Sequence, residues 1–348
     1  EYHPPGRLTA HDGRRCAARL SLSGKVQPMA ADASMAPPMT PAPGSGRAST
    51  LQRLARRRSS IAVLMTTPLL VVLLGLVAYP AGYGIYLSTL NRRMTGFMEA
   101  EWLPNGLGNF EILFESETFW AVALQSCIFA ITAVILKALI GFWLAHMLND
   151  IPTKGQRKWR GMLLIPWVIP PALSTLGWWW MFDPSYSSIN WLFQVVGIAE
   201  VPWLGEKWWA RLSIIIVNVW YGAPFFMIMY LAALKSVPEQ LYEAAAIDGA
   251  SSWQRLRYVT LPMMANIISI TVLFSLIVTF SNYDIVRVLT NGGPRDLTHV
   301  FASYAFQVGI LSGNIPRGAA VSLFMFPILA ICAFFVLRGV TRRNKEQM

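Results

Sequence analysis

Residues 235–262 read KSVPEQLYEAAAIDGASSWQRLRYVTLP. Ser236 followed three residues later by Glu239 is a helix-start pattern, and Pro238 is tolerated in a first helical turn. Gly249 is a stop signal. Ser251 with Gln254 forms a second capping-box pattern. The stretch therefore predicts two short helices with a sharp bend at Gly249. Leu241, Ala244, Ala245 and Asp248 recur at helical spacing and share one face. Small alanines there let another protein surface approach closely. A plain connector needs neither two caps nor an apolar face.

On both sides of this loop the chain is strongly apolar. A bilayer core of about 30 Å needs about 20 apolar residues in a helix. Six runs meet that length: 61–87, 119–148, 161–182, 212–234, 263–285 and 319–340. A shorter amphipathic piece, 189–198, suits the interface rather than a crossing. The 348 residues are 54% hydrophobic and only 14% charged, against about 25% charged in soluble domains. Mean hydropathy is +0.43. The expected fold is all-α: a polytopic membrane protein with six transmembrane helices over 59–342 and a cytoplasmic loop at 235–262.

Charge sets the orientation. The segments 47–58, 149–160 and 235–260 and the C-terminal end from Arg338 hold 16 Lys or Arg, and the alternate loops hold seven. The richer set is expected inside, with both termini cytoplasmic. Trp178 to Trp180, Trp191, Trp203, Trp208 and Trp209 fall near outer span ends, as an aromatic belt does. Residues 1–58 are basic, rich in Pro, Ala, Gly and Ser, and without a helical or strand period, so a disordered tail is expected. The net charge of +11 follows the span ends, which speaks against a nucleic-acid partner and for contact with membrane lipid. Cys16, Cys127 and Cys332 are far apart, and the four histidines show no H-x-x-x-H spacing, so neither a disulfide framework nor a metal site is expected.

Glu243-Ala244-Ala245, then Gly249, Val259 and Leu261-Pro262 resemble the EAA signature of ABC importer permeases, E-A-A-x3-G-x9-I-x-L-P, with Val259 in place of isoleucine. The resemblance in span pattern covers about residues 60–340. It implies that Glu243, Ala244, Ala245, Asp248, Gly249, Leu261 and Pro262 couple the spans to an ATPase dimer on another polypeptide. The chain has no G-x-x-x-x-G-K-[ST], so ATP and Mg would be bound by that partner and this chain would be non-catalytic. The resemblance further implies a second, related permease subunit, an extracytoplasmic solute-binding protein and a place in a bacterial inner membrane. Leu289-Thr290-Asn291-Gly292-Gly293-Pro294 followed by Thr298 is similar to the L-T-x-G-G-P-x3-T segment of carbohydrate permeases. Gly292, Gly293 and Pro294 are expected to make a rigid outer turn. A sugar, polyol or sugar-phosphate-like cargo is the expectation; the alternative is a polyamine, peptide or anion.

Polar groups at membrane depth are functional candidates. Asn282, Tyr283 and Asp284 near the end of the fifth run, and Asn218 and Trp220 in the fourth, are candidates for the solute path. The competing readings are an Asp284–Arg287 pair at i, i+3 and ordinary helix packing. Lys137 sits in the middle of the second run, facing either the path or an acid of a partner, or snorkelling. His146 fits an interfacial position. Pro166, Pro170, Pro171 and Pro224 are expected to kink their helices. A stand-alone channel or ion-driven carrier, and a membrane scaffold, are rivals that leave the 235–262 pattern unexplained.

Overall fold

The computed structural model describes residues 58–94 and 100–346. The expected tail over 1–58 lies, but for its last residue, outside the described residues. Contacts divide the chain into Glu1–Met65 and Thr66–Met348. Of the first unit only the opening of α1 is described, and the packing below concerns the second.

The chain is helical, with one small hairpin. Helix α1 (Arg58–Leu73) passes through a π-helical turn (Leu74–Ala78) into α2 (Tyr79–Ser88). Strands β1 (Leu90–Met94) and β2 (Ala100–Pro104) pair antiparallel, Leu90 opposite Pro104. Helices α3 (Gly108–Glu115) and α4 (Glu117–Asn149) follow. Next come α5 (Thr153–Leu163), α6 (Ile165–Val168), α7 (Pro171–Phe182) and α8 (Ser188–Val195). Then come α9 (Lys207–Ser236), α10 (Glu239–Ile247) and α11 (Ser252–Arg255). A π turn (Leu256–Thr260) leads into α12 (Leu261–Phe280), followed by α13 (Asp284–Leu289) and α14 (Phe301–Phe306). A last π turn (Gln307–Leu311) precedes α15 (Ile315–Leu323) and α16 (Met325–Glu346).

Among the described residues, five helices are long and apolar enough to cross a membrane: Val63–Ser88, Glu117–Asn149, Lys207–Ser236, Ser252–Phe280 and Ile315–Arg342. The remaining expected span, the third at 161–182, is interrupted. Ile169 and Pro170 are extended, with ψ of 135° and 133°. Each precedes a proline, and a proline pushes the residue before it out of the α region. Two such residues in a row break the helix, where a kink was expected. Single prolines do less. Pro68 and Pro224 lie inside continuous helices. Pro80 and Pro262 each follow a π turn, in which Tyr79 N–H reaches Leu74 O and Leu261 N–H reaches Leu256 O. The wider turn lets the helix run on past a residue that has no N–H to donate.

The core lies between α4 and α9. Phe129 and Ala133 of α4 pack with Ile214, Val217 and Val219 of α9. Nearer the other end Val134 and Ala145 pack with Phe226, Met227 and Tyr230. At Gly141 the helices are close enough that a Cβ would run into the Phe226 side chain, the small-residue contact by which membrane helices approach. α12 packs on both. Gln156 of α5 is buried; its Nε2 donates to Leu148 O at 2.6 Å and its Oε1 accepts from Lys235 Nζ at 2.5 Å. One amide thus fastens the basic α5 to the ends of α4 and α9. At the other end Asn190 of α8 does similar work. It donates to Val201 O at 3.0 Å and accepts from Trp203 Nε1 at 3.0 Å. The most apolar window of Val63–Ser88 buries none of its residues, and a helical stretch apolar all round and uncovered by its own chain faces the membrane; only its end, at Ser88, is buried.

Candidate functional site

α10 is nine residues long, and none of them is buried. Its start differs from the expected capping box. Ser236 is the last residue of α9 and donates to Ala233 O at 2.7 Å, while Pro238 stands at the N-cap. Glu239 opens the helix, where its charge suits the helix dipole. The end is as expected. Gly249 has φ +74°, and Gly249 N–H and Ala250 N–H reach Ala246 O at 3.1 Å and Ala245 O at 2.9 Å. This is a Schellman motif, closed by a residue in the left-handed region where glycine carries no Cβ penalty.

The second capping box also forms. Gln254 N–H reaches Ser251 Oγ at 3.4 Å, and Ser251 N–H reaches Gln254 Oε1 at 2.8 Å. The helix it starts is not a separate short one. Ser252–Phe280 runs on as a span, so the loop is one short helix bent against the first turns of a long one. Tyr242 holds the two together: its hydroxyl lies 2.9 Å from Thr260 Oγ1, and both Tyr242 and Val259 pack against the core formed by α4 and α9. Leu241 (40%), Ile247 (87%), Trp253 (65%) and Tyr258 (71%) are exposed. Glu243, Ala244 and Asp248 are exposed and Ala245 half-buried, while Leu261 lies at the surface (37%) and Pro262 beside it opens α12. The loop thus presents apolar side chains that its own chain leaves uncovered.

A second locus lies among α4, α9 and α12. Lys137, Asn218, Tyr221, Ser275, Thr279 and Asn282 line a cavity of about 50 Å³, with Trp167, Phe225 and Phe274 as aromatic walls. Lys137 is 4% exposed. Its ammonium donates to Thr279 Oγ1 at 2.7 Å, and Thr279 donates onward to Ser275 O at 2.6 Å. Its stem lies against Gly222, where a Cβ would collide with Lys137 Cδ. Burying a lysine at mid-membrane costs about 2.5–3.5 kcal/mol on insertion scales. Lys137 therefore does not snorkel.

The proposed path residues divide. Asn218 and Asn282 line the cavity. Trp220 does not; it packs edge-on against Trp178 at 5.6 Å. α12 ends at Phe280, short of the expected Ile285, and Asn282 Oδ1 accepts Ile285 N–H at 3.2 Å to start α13. Tyr283 lies against Phe306 at 4.9 Å. Asp284 opens α13, but Arg287 turns from it to Asn291 and to the Phe306 ring. Beside Asn282, the face also carries Thr271, Ser275 and Thr279, which the sequence reading leaves out. Their spacing of four, four and three puts them on one helical face, a legible signal.

The turn after α13 is tightly built. Thr298 Oγ1 donates to Gly293 O at 2.6 Å and lies 2.9 Å from Thr290 Oγ1. Gly293–Pro294 is cis. Gly292 has φ +86°, and a Cβ there would enter the His299 ring. His299 is buried, with Nδ1 2.9 Å from Ser303 Oγ and Nε2 3.4 Å from Asp296 Oδ1. Burial pushes its pKa below the ordinary 6.5, against the smaller pull of Asp296. His299 was not singled out from the sequence; the clash with Gly292 reveals it only in three dimensions.

Residues 137–345 match the family described as binding-protein-dependent transport system inner membrane component. The chain belongs to this family. It is 32% identical over 293 residues to the trehalose/maltose transport system permease protein MalF of Thermococcus litoralis, covering 84% of this chain and 98% of that one. It is 27% identical over 313 residues to the diacetylchitobiose uptake system permease protein DasB of Streptomyces coelicolor, covering 88% and 95%. The crystal structure of a bacterial ABC transporter that imports alginate shares the fold, with a TM-score of 0.68 and 23% identity over 82% of this chain and 96% of that one. The chain is thus a multi-pass membrane component of an ABC transport system, and the all-α permease fold expected from the sequence holds.

Proposed function

We propose that this chain is the permease subunit of an ATP-driven importer for a carbohydrate or polyol. It passes a solute delivered by a binding protein on the outer side and catalyses no covalent chemistry itself. The observation that carries the reading is the bend at Gly249. It sets α10 on the surface with Leu241 and Ile247 uncovered, and Tyr242–Thr260 fixes it to the helix that carries Ser275 and Thr279. A separate ATPase, holding ATP and Mg, docks over α10. A second permease, related in sequence, completes the path. The basic α5, α10 and both termini lie inside, as the distribution of Lys and Arg supports. The domain reading is a transmembrane unit over 59–342 with a passive basic extension before it.

The relatives' maltose, trehalose and diacetylchitobiose cargoes support a carbohydrate. The cavity, at about 50 Å³, is far smaller than the roughly 300–1,000 Å³ of a whole-ligand pocket; its amides and hydroxyls suit a single polar group of a sugar. A buried ammonium in its wall speaks against a polyamine. The test is reconstitution in proteoliposomes with the companion ATPase, second permease and binding protein. ATP-dependent uptake of a labelled oligosaccharide is expected, and none in the absence of the ATPase. Equal uptake without the ATPase refutes the coupling, and uptake of peptides or polyamines but no carbohydrate refutes the cargo.

A further inference from the structure

Lys137 is a buried amine in the wall of a small cavity of about 50 Å³. Among the described residues, the ion pair that forms is His299–Asp296, and no carboxylate lies within ion-pair distance of Lys137. The ammonium has three donors, and Thr279 Oγ1 is a neutral acceptor for one. A hydroxyl satisfies a hydrogen bond but leaves the charge uncompensated, and buried charges are as a rule paired. In the wall of the same cavity, Asn218 is 3% exposed and its Oδ1 has no hydrogen-bond partner among the described residues. A buried acceptor without a donor is equally uncommon.

The two defects are complementary. One asks for an anionic acceptor and the other for a hydroxyl or amine donor, and both border one small space. Gly222 is the device that keeps Lys137 there. With any side chain at 222 the lysine stem would have to move. Tyr221 and Phe225 add aromatic surface beside these groups. A ligand that meets all of this has an oxyanion, a neighbouring hydroxyl and an apolar C–H face.

We propose that the solute carried is an acidic carbohydrate, bearing a carboxylate, phosphate or sulfonate, and that Lys137 binds that group while Asn218 accepts from an adjacent hydroxyl. The proposal rests on the carbohydrate-permease reading and narrows it. Lys137 is then a specificity determinant, since charge-assisted contacts are about twice as strong as neutral ones. A carboxylate from a companion subunit would neutralise Lys137 and remove any such preference.

The test uses the complete importer in proteoliposomes and labelled disaccharides in matched forms: maltose, trehalose and cellobiose, and their uronate and 6-phosphate derivatives. In the wild type, ATP-dependent uptake of at least one acidic form is expected to exceed that of its neutral parent by about tenfold or more. In assembled Lys137→Met complexes the acidic-to-neutral ratio is expected to fall by about tenfold, and Lys137→Arg to keep it within about threefold. Wild-type uptake favouring the neutral forms overturns the proposal, as does an unchanged ratio in Lys137→Met. ATP-dependent uptake of no disaccharide in any form overturns the carbohydrate reading itself, a result distinct from a neutral preference.

Discussion

Gly249 gives the proposed coupling its sharpest test, because the cost of replacing it can be worked out from one angle. A Cβ added at Gly249 meets nothing within 4 Å. Steric clash therefore contributes nothing, and the whole penalty is that of holding φ at +74°. For an L-residue such as alanine that penalty is about 1–2 kcal/mol, a factor of about 5 to 30 in the ratio of bent to unbent loop. Asparagine visits the left-handed region more readily. Proline cannot reach it, because its ring holds φ near −65°; it also removes the N–H that bonds Ala246 O at 3.1 Å. Its cost is about 3 kcal/mol or more. The expected order of ATP-driven uptake in proteoliposomes is Gly, then Gly249→Asn within about twofold, then Gly249→Ala down about fivefold, then Gly249→Pro down about a hundredfold. All four should insert and assemble equally, since the bend lies outside the spans. Full coupled uptake by Gly249→Pro would refute the reasoning, and so would an Ala variant as weak as Pro.

Glu243→Lys reverses an exposed charge on α10; it should stop ATP-driven uptake while membrane insertion, followed by fractionation, stays normal. Ser126→Ala removes the acceptor for Phe301 N–H, a buried bond of 3.0 Å. It should cost about 1–3 kcal/mol in thermal or denaturant unfolding, and an unchanged midpoint would count against that anchor. Gly292→Ala combines a φ of +86° with a Cβ inside the His299 ring; it should destabilise by more than the roughly 1–2 kcal/mol of the backbone alone, and His299→Ala in the same chain should recover part of the loss. His299 itself has a folded pKa lowered below 6.5 by burial, so the unfolded chain takes up the proton more readily. The stabilisation is then complete above about pH 7 and lost as pH falls through about 6.5 toward the lower folded value. Melting curves from pH 5 to 8 should show that slope in the wild type and a flatter one in His299→Gln.

The sequence carried five of the six spans because apolar length is a property of composition, which local packing cannot erase. It carried the Gly249 stop and the Ser251–Gln254 box because both are local, set by one φ preference and one pair of side chains. The Ser236–Glu239 box failed for the same locality. Nothing in four residues says that α9 keeps Ser236 and turns its hydroxyl back onto Ala233. The third span broke because two consecutive residues precede prolines, whereas Pro262 passed because five residues before it widened into a π turn. That difference depends on backbone slack upstream, which residue identity alone does not express. Thr271, Ser275 and Thr279 were within reach of a periodicity reading. Their partner Lys137 was not, since 142 positions separate it from Thr279 and only the packing of α4 on α12 joins them.

One helix links the two loci. Ser252–Phe280 begins at the capping box beside Gly249 and ends at the cavity with Ser275 and Thr279. At about 1.5 Å per residue the 27 steps from Ser252 to Thr279 make a rod of about 40 Å. In the proposed coupling, an ATPase that moves α10 moves this rod through Tyr242 and Thr260. The rod's π turn at Leu256–Thr260 ends at that grip, since Thr260 is its last residue. π turns inside α-helices are rare and frequent at functional sites, and here the following residue is Leu261, whose N–H reaches back five positions to Leu256 O. The displacement therefore arrives at Thr279 as a shift of the whole α12 face against α4 and α9. Lys137 is held to that face by one bond of 2.7 Å, so the same movement that opens the path alters the site where the charge sits. In that proposal binding and transmission depend on the same side chain, Thr279, and a change in either is felt by the other.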